Sequence, residues 1–180
     1  MNPRIAKFSG KNTHRLIRTL FPTINVFEHV TTPEELKIIL ELEGWTNDRI
    51  SAGYGVLHLI PENEWALGVP LASVIMAAFC HPRETGGRFN TSNRGAWYAA
   101  LEQETAIKET VYHCTKELFD EMGITETYVQ VREYLADFET EFHDVRPSPE
   151  FDSCYANADY TSGQTLGRQL LESGSNGRSL

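Results

Sequence analysis

The 180-residue sequence predicts a single domain that mixes helices with strands. Three observations carry this. Between Glu102 and Met122, the apolar residues Ile107, Val111, Cys114, Leu118 and Met122 recur at helical spacing and form one stripe. From Thr127 to Leu135 the pattern alternates instead. Val129, Val131 and Leu135 lie on one face and Tyr128, Gln130, Arg132 and Tyr134 on the other, as in a half-buried strand. Thr32, Pro33 and Glu35 form a helix start: a hydroxyl cap, a proline at the first helical position, and a carboxylate able to return to the cap amide.

The remaining elements follow in order. Thr13 to Phe21 reads as a strand with imperfect alternation, which places Arg15 on an early strand. The helix begun at Thr32 ends at Gly44, and Leu36, Ile39, Leu40 and Leu42 cover enough of its surface to require packing. Glycines at 53, 55 and 68 and prolines at 61 and 70 indicate loops around a short strand at Val56 to Ile60. Ala72 to Cys80 is a continuous run of small and apolar residues. It suits a buried strand better than a solvent-facing helix, although periodicity alone leaves the choice open. Gly123 stops the long helix. Phe138 to Asp152, rich in acids and proline, reads as a surface loop. A last helix from Ser162 to Glu172 carries Leu166, Leu170 and Leu171 and ends at Gly174.

Composition excludes several functions. A formal net charge of −9 opposes direct binding to nucleic-acid phosphates, which draws mainly on clustered Lys and Arg. No run approaches the roughly 20 apolar residues needed to span a bilayer, and the N-terminus has no apolar segment after its charges. A cytoplasmic protein is expected. Cys80, Cys114 and Cys154 are odd in number and far apart, so reduced thiols are expected rather than disulfides or zinc ligands. The six histidines form no H-x-x-x-H pair, and no metal site is expected. The chain also lacks a P-loop, a G-x-G-x-x-G turn and a G-x-S-x-G elbow.

One run stands apart. Gly86-Gly87-Arg88-Phe89-Asn90 leads through Ala96-Trp97-Tyr98-Ala99-Ala100 to Thr105-Ala106-Ile107-Lys108-Glu109-Thr110-Val111-Tyr112-His113. It joins a guanidinium, a phenol and a carboxylate across a turn, a strand and a helix, a combination suited to a cationic ligand bearing phosphate. Each piece has an ordinary reading. Surface arginines on strands are common, and a strand Tyr is usually core with its hydroxyl at the edge. Helix geometry places Glu109 on the far side of the apolar stripe, near Glu102, Ala106 and His113. There a carboxylate is ordinarily solvated, and only a second layer over that face would make it catalytic.

Together these residues resemble the RES domain, named for its Arg, Glu and Ser. The resemblance rests on Gly86 to Asn90, on Tyr98, and on Glu109 in Thr-Ala-Ile-Lys-Glu-Thr-Val-Tyr-His. It extends to His14-Arg15-Leu16-Ile17 as the opening strand, and to Asp159 through Gly167 with Gly174-Ser175-Asn176-Gly177 as the late helix and following turn. RES proteins are toxins of bacterial toxin–antitoxin pairs that consume NAD by hydrolysis or phosphorolysis, and some relatives transfer ADP-ribose to protein.

The resemblance therefore implies an α+β domain over residues 1–180. Its fold would be similar to ADP-ribosyltransferases, with a twisted, mostly antiparallel sheet, flanking helices and a central NAD cleft. NAD enters as substrate, not cofactor. The implied partner is an antitoxin of the Xre type that supplies the DNA contact and blocks the cleft, with a homo-oligomer possible inside that complex. By the same resemblance, Glu109 stabilises the oxocarbenium-like centre formed when the nicotinamide–ribose bond breaks. Arg15 and Arg88 hold the pyrophosphate by bidentate contacts, and Tyr98 stacks on nicotinamide or donates to the ribose. Arg88 has a structural alternative, pinning the turn, and Gln164 lines the cleft. The chain departs from the family at its end: after Gly177 it continues only as Arg178-Ser179-Leu180, and Ser179 does not sit where the signature serine is expected. A truncated copy is expected, and with it a second hypothesis: a non-catalytic module that keeps the antitoxin-binding surface.

Overall fold

The structure is a computed structural model that describes residues 3–19, 25–44, 54–146, 148–156, 159–175 and 178–179. The expected strand end at Phe21 and the turn residues Asn176 and Gly177 lie outside them. The described residues form a mixed helix-and-strand structure. In chain order these are β1 (Arg4–Arg18), α1 (Pro33–Gly44), α2 (Ala72–Cys80), α3 (Gln103–Thr115), β2 (Val131–Asp144), α4 (Thr161–Glu172) and β3 (Arg178–Ser179).

The sheet has the order β1-β2-β3. β1 and β2 pair antiparallel from Arg4 against Asp144 to Arg18 against Val131, while β3 adds two residues parallel to β2, opposite His143 and Asp144. The register shifts between Gly10 and Thr13. There Asn12 takes a positive φ of 54° and gives its amide to Asp137 Oδ1 at 2.7 Å, and the Thr13 hydroxyl donates to the Ala136 carbonyl at 2.7 Å. A short polar residue tolerates that conformation and a side chain repairs the interrupted ladder.

This ladder corrects two expectations. The first strand begins at Arg4 rather than Thr13, and Phe138 to Asp144 is strand rather than loop. The acids of that stretch mislead because they occupy alternate positions. Phe138 and Phe142 share the other face with Phe8, whose ring centre lies 5.4 Å from that of Phe142. Such cross-strand aromatic pairs stabilise a ladder irrespective of the charges facing solvent.

α1 starts as expected. The Glu35 amide donates to Thr32 Oγ1 at 3.2 Å, and the Thr32 amide donates back to the Glu35 carboxylate at 3.3 Å, a reciprocal cap. Ala72 to Cys80 is α2, not a strand. Its first turn is capped by the Glu28 carboxylate, which accepts from the Ser73 amide at 2.9 Å and from the Ser73 hydroxyl. An acid at a helix N-terminus satisfies amides that have no partner within the helix. Val56 to Ile60 is likewise no strand but a 3-10 turn over Leu57–Leu59, because Gly55 (φ 46°) turns the chain so that Leu57 and Ile60 both enter the core.

Two apolar clusters result. One gathers Phe27, Val30, Leu36, Tyr54, Leu57, Ile60, Ala72, Met76 and Cys80 around α1 and α2. The other gathers Phe89, Val145, Phe151, Cys154, Leu166 and Leu170 around α4. α3 continues as a wider π turn over Lys116–Glu121, and Gly123 (φ 66°) ends it as expected. Its apolar stripe, however, is largely uncovered: Ile107, Val111 and Met122 are exposed, Val111 by 57%, and Ala106 is the buried residue of the helix. α4 matches its expected span within one residue, followed by Gly174 at φ 80°.

α4 lies close against the chain at Arg88. A Cβ on Gly163 would come 2.3 Å from the Arg88 carbonyl oxygen, a backbone atom that cannot swing away. Gly163→Ala gains about 1 kcal/mol of helix propensity. It also overpacks this contact at a cost of roughly 3 kcal/mol. Chemical denaturation should therefore show a net loss of about 2 kcal/mol, and a stabilised variant would contradict the close approach.

Candidate functional site

The site is built outward from β1. His14 exchanges two backbone hydrogen bonds with Ala100, at 2.7 and 2.9 Å, and this bridge draws residues 97–100 alongside β1. That bridge is the segment's one backbone pairing with the sheet among the described residues, so Tyr98 lies in an irregular connection rather than in the expected strand. The His14 ring contacts Glu133 Oε1 at 2.7 Å, and Gln103 Nε2 donates to both oxygens of the same carboxylate at 3.1 and 3.0 Å. β1, β2 and the start of α3 are thereby joined.

Arg15, the next residue, faces this segment. Its Nη1 donates to the Tyr98 carbonyl at 3.0 Å, and its guanidinium carbon lies 4.7 Å from the centre of the Trp97 ring. Its Nε is buried with no acceptor among the described residues, and the same holds for Trp97 Nε1. No carboxylate among the described residues forms an ion pair with Arg15. Burial pulls its pKa down to about 10, opposed by the Tyr98 hydroxyl. The group remains cationic at neutral pH, in surroundings that favour an incoming anion.

The Tyr98 side chain reaches the glycine turn. Its hydroxyl donates to Asn90 Oδ1 at 2.9 Å and accepts from the Phe89 amide at 3.3 Å, and 40% of the residue is exposed. Asn90 closes the turn, accepting from the Gly87 amide at 2.8 Å through its carbonyl and donating to the Thr91 and Arg94 carbonyls at 3.1 and 3.0 Å. The double glycine is required here. Gly86 has φ 71° and a Cβ on it would meet the Asn90 carbonyl at 2.2 Å; one on Gly87 would meet Asn90 Oδ1 at 2.6 Å and the Tyr98 hydroxyl at 3.0 Å. Phe89, at the tip, is buried in the α4 cluster and anchors the turn.

Gln164 Nε2, on α4, donates to the Thr85 and Gly87 carbonyls at 2.9 and 3.1 Å. Arg88 donates to the Ala156 and Cys154 carbonyls at 2.9 and 3.4 Å and lies 5.1 Å from the Tyr160 ring centre, contacts that pin the turn against the segment leading into α4. Glu109 stands apart. Its side chain is 70% exposed, and its Oε2 lies 3.6 Å from His113 Nε2. His113 also receives a long contact from Arg83 Nη1 at 3.5 Å, and Arg83 approaches Glu117, which Arg18 holds in a two-pronged ion pair.

The structure thus joins Tyr98, Gln164 and the glycine turn by direct hydrogen bonds, and joins Arg15 to them through the Tyr98 carbonyl. Glu109 connects only electrostatically, through His113 and the charge of Arg88 felt there. Three residues of the site had no role in the sequence reading: Trp97, Asn90 and His113. The signal for two of them was their position, since Trp97 precedes Tyr98 and Asn90 ends the glycine turn. The two open depressions that stand out among the described residues have volumes of about 410 and 360 Å³. One is lined by Arg4, Asp144 and Arg146 and the other by Tyr112 and Lys116; neither includes Arg15, Tyr98 or Glu109, so the expected central cleft is not formed there. Among the described residues no group of three His, Cys, Asp or Glu side chains could hold a metal ion, and no helix is long and apolar enough to cross a membrane.

Burial lowers the His113 pKa below 6.5, with the positive charge of Arg83 acting in the same direction and Glu109 opposing. A histidine whose folded pKa is depressed binds fewer protons folded than unfolded. Its contribution to stability is present above pH 6.5 and lost as the pH falls through the folded value. Titration of the His113 ring by NMR should give a midpoint below 6.5, moving up in Arg83→Ala; a midpoint above 6.5 would contradict this environment.

The family model of the RES domain matches residues 63–178, a span that includes Arg88, Tyr98, Glu109 and Gln164 but not Arg15. Comparison with curated proteins and with solved structures finds no match to either. Since that span covers well over half of the chain, and carries both the glycine turn and the α3 carboxylate, the protein belongs to the RES domain family.

Proposed function

We propose that this chain is an NAD-consuming enzyme, the toxin component of a bacterial toxin–antitoxin pair, acting in the cytoplasm with an ADP-ribosyltransferase-like fold. The observation that carries the reading is Arg15: a half-buried cation beside Tyr98 and Trp97, with no carboxylate partner among the described residues and a solvent-shielded Nε–H without an acceptor. A diphosphate supplies the missing negative charge in the geometry a planar guanidinium prefers. Arg88 would add a second contact to it, Gln164 would keep the glycine turn in place, and the Tyr98 hydroxyl would bind the ribose or nicotinamide.

In this mechanism the bond from ribose C1′ to the nicotinamide nitrogen breaks, and its electron pair leaves with neutral nicotinamide. Positive charge then spreads over C1′ and the ring oxygen. Glu109 stabilises that charge and orients the incoming water or phosphate, which closes the reaction at C1′. Transfer of ADP-ribose to a protein differs only in the acceptor. Because Glu109 is exposed beside His113, an element or ligand must cover this face of α3 before the carboxylate acts in low dielectric.

A second reading is favoured by one observation, the uncovered apolar stripe of α3 at Ile107, Val111 and Met122. Such a face fits a protein partner, and an Xre-type antitoxin seated there would make the chain an interaction module with or without turnover.

NAD loss and nicotinamide release, followed with and without phosphate, separate the two. Glu109→Gln should slow NAD loss by about 100-fold or more. Its thermal midpoint should match the parent, since the side chain is mostly exposed. Equal turnover in parent and variant would remove Glu109 from the mechanism. Tight antitoxin binding by a parent chain that leaves NAD intact would favour the interaction module.

A further inference from the structure

We infer that the indole N–H of Trp97 is a second donor to the anion held by Arg15, so that the two side chains form a clamp for one phosphoryl oxygen of a diphosphate. The inference rests on the diphosphate reading of Arg15 given above and adds to it a residue with no assigned role.

The clamp follows from two donors without acceptors in one place. Arg15 Nε and Trp97 Nε1 are both shielded from solvent, and neither finds an acceptor among the described residues. They belong to side chains in contact, the guanidinium carbon being 4.7 Å from the centre of the Trp97 ring. Buried donors are nearly always satisfied, and one left without a partner is costly to the fold. Two such donors on side chains in contact, one from a strand and one from the segment bridged to it at Ala100, indicate a seat for an acceptor. The chemistry of the donors selects that acceptor. A neutral carbonyl leaves the desolvated guanidinium charge uncompensated, whereas an anionic oxygen compensates it and accepts from the indole as well. Arg15 Nη1 is already committed to the Tyr98 carbonyl, which fixes the fork against the segment carrying Trp97.

The clamp predicts effects of opposite sign. Trp97→Phe keeps an aromatic face for the guanidinium and removes only the N–H. Without ligand, the variant should melt at the same temperature as the parent or higher, because a donor without an acceptor has gone. With ligand, affinity for inorganic pyrophosphate and for ADP-ribose, measured by calorimetry, should fall about tenfold or more, the loss of one hydrogen bond to a charged group. Trp97→Tyr, which also lacks the indole nitrogen, serves the same comparison if the first variant packs poorly.

Unchanged affinity in both variants overturns the clamp, and so does a parent chain that binds neither probe. The two claims fail separately. NAD turnover by the parent with unchanged affinity in the Trp97 variants leaves the enzyme reading standing and removes the clamp. Pyrophosphate binding weakened by Trp97→Phe in a chain that never cleaves NAD keeps the clamp and removes the enzyme.

Discussion

The two-hydrogen-bond bridge between His14 and Ala100 is the constraint on which the site depends. Without it, the backbone of β1 would pair with β2 alone among the strands. With it, the segment carrying Trp97 and Tyr98 is held beside Arg15, and every later contact follows. The Tyr98 carbonyl takes the guanidinium, its hydroxyl takes Asn90, and Asn90 closes the glycine turn that Phe89 anchors in the α4 core. The bridge costs little to form because β1 is already immobilised by its ladder with β2, on which the Gly10 to Thr13 irregularity is the one shift in register. A local pairing on a rigid strand is a precise way to position a loop, and loops positioned by rigid scaffolds are where binding residues concentrate.

The charge arrangement divides the molecule into two regions with different logic. Around Glu117, cations and anions are paired: Arg18 holds the carboxylate and pulls its pKa down, and Arg83 adds to it. Around Arg15 a cation is left without a described anion, and burial rather than a counter-charge sets its pKa. Structural ion pairs explain the first region completely. The second has no such internal pairing among the described residues, which is why Arg15 carries the proposed reading more strongly than Glu109, whose contacts are those of a surface helix carboxylate.

Much of the fold was legible where local chemistry decides conformation. The Thr32, Pro33 and Glu35 cap, the stops at Gly123 and Gly174, and the span of α4 all follow from short-range rules. Two of the misreadings occur where a distant residue decides. Ala72 to Cys80 is helical because Glu28, far away in sequence, caps it. Phe138 to Asp144 is strand because Phe8 and Gly10 lie opposite. The stripe on α3 illustrates the same limit: periodicity identifies a helix and its apolar face, but not whether anything covers that face. At the site, the residue types in the glycine turn and at Tyr98 and Arg15 were visible as a pattern. The role of Trp97 was not, because nothing in a sequence shows that a buried indole lacks an acceptor.

The central claim is that the diphosphate of an NAD-type ligand seats on Arg15. A crystal structure of the chain with ADP-ribose tests it most directly. The account predicts phosphoryl oxygens against Arg15 Nε and Trp97 Nε1, with the ribose C1′ on the side of α3 that bears Glu109. Ligand density in the depression between Arg4 and Arg146 with Arg15 untouched would contradict it.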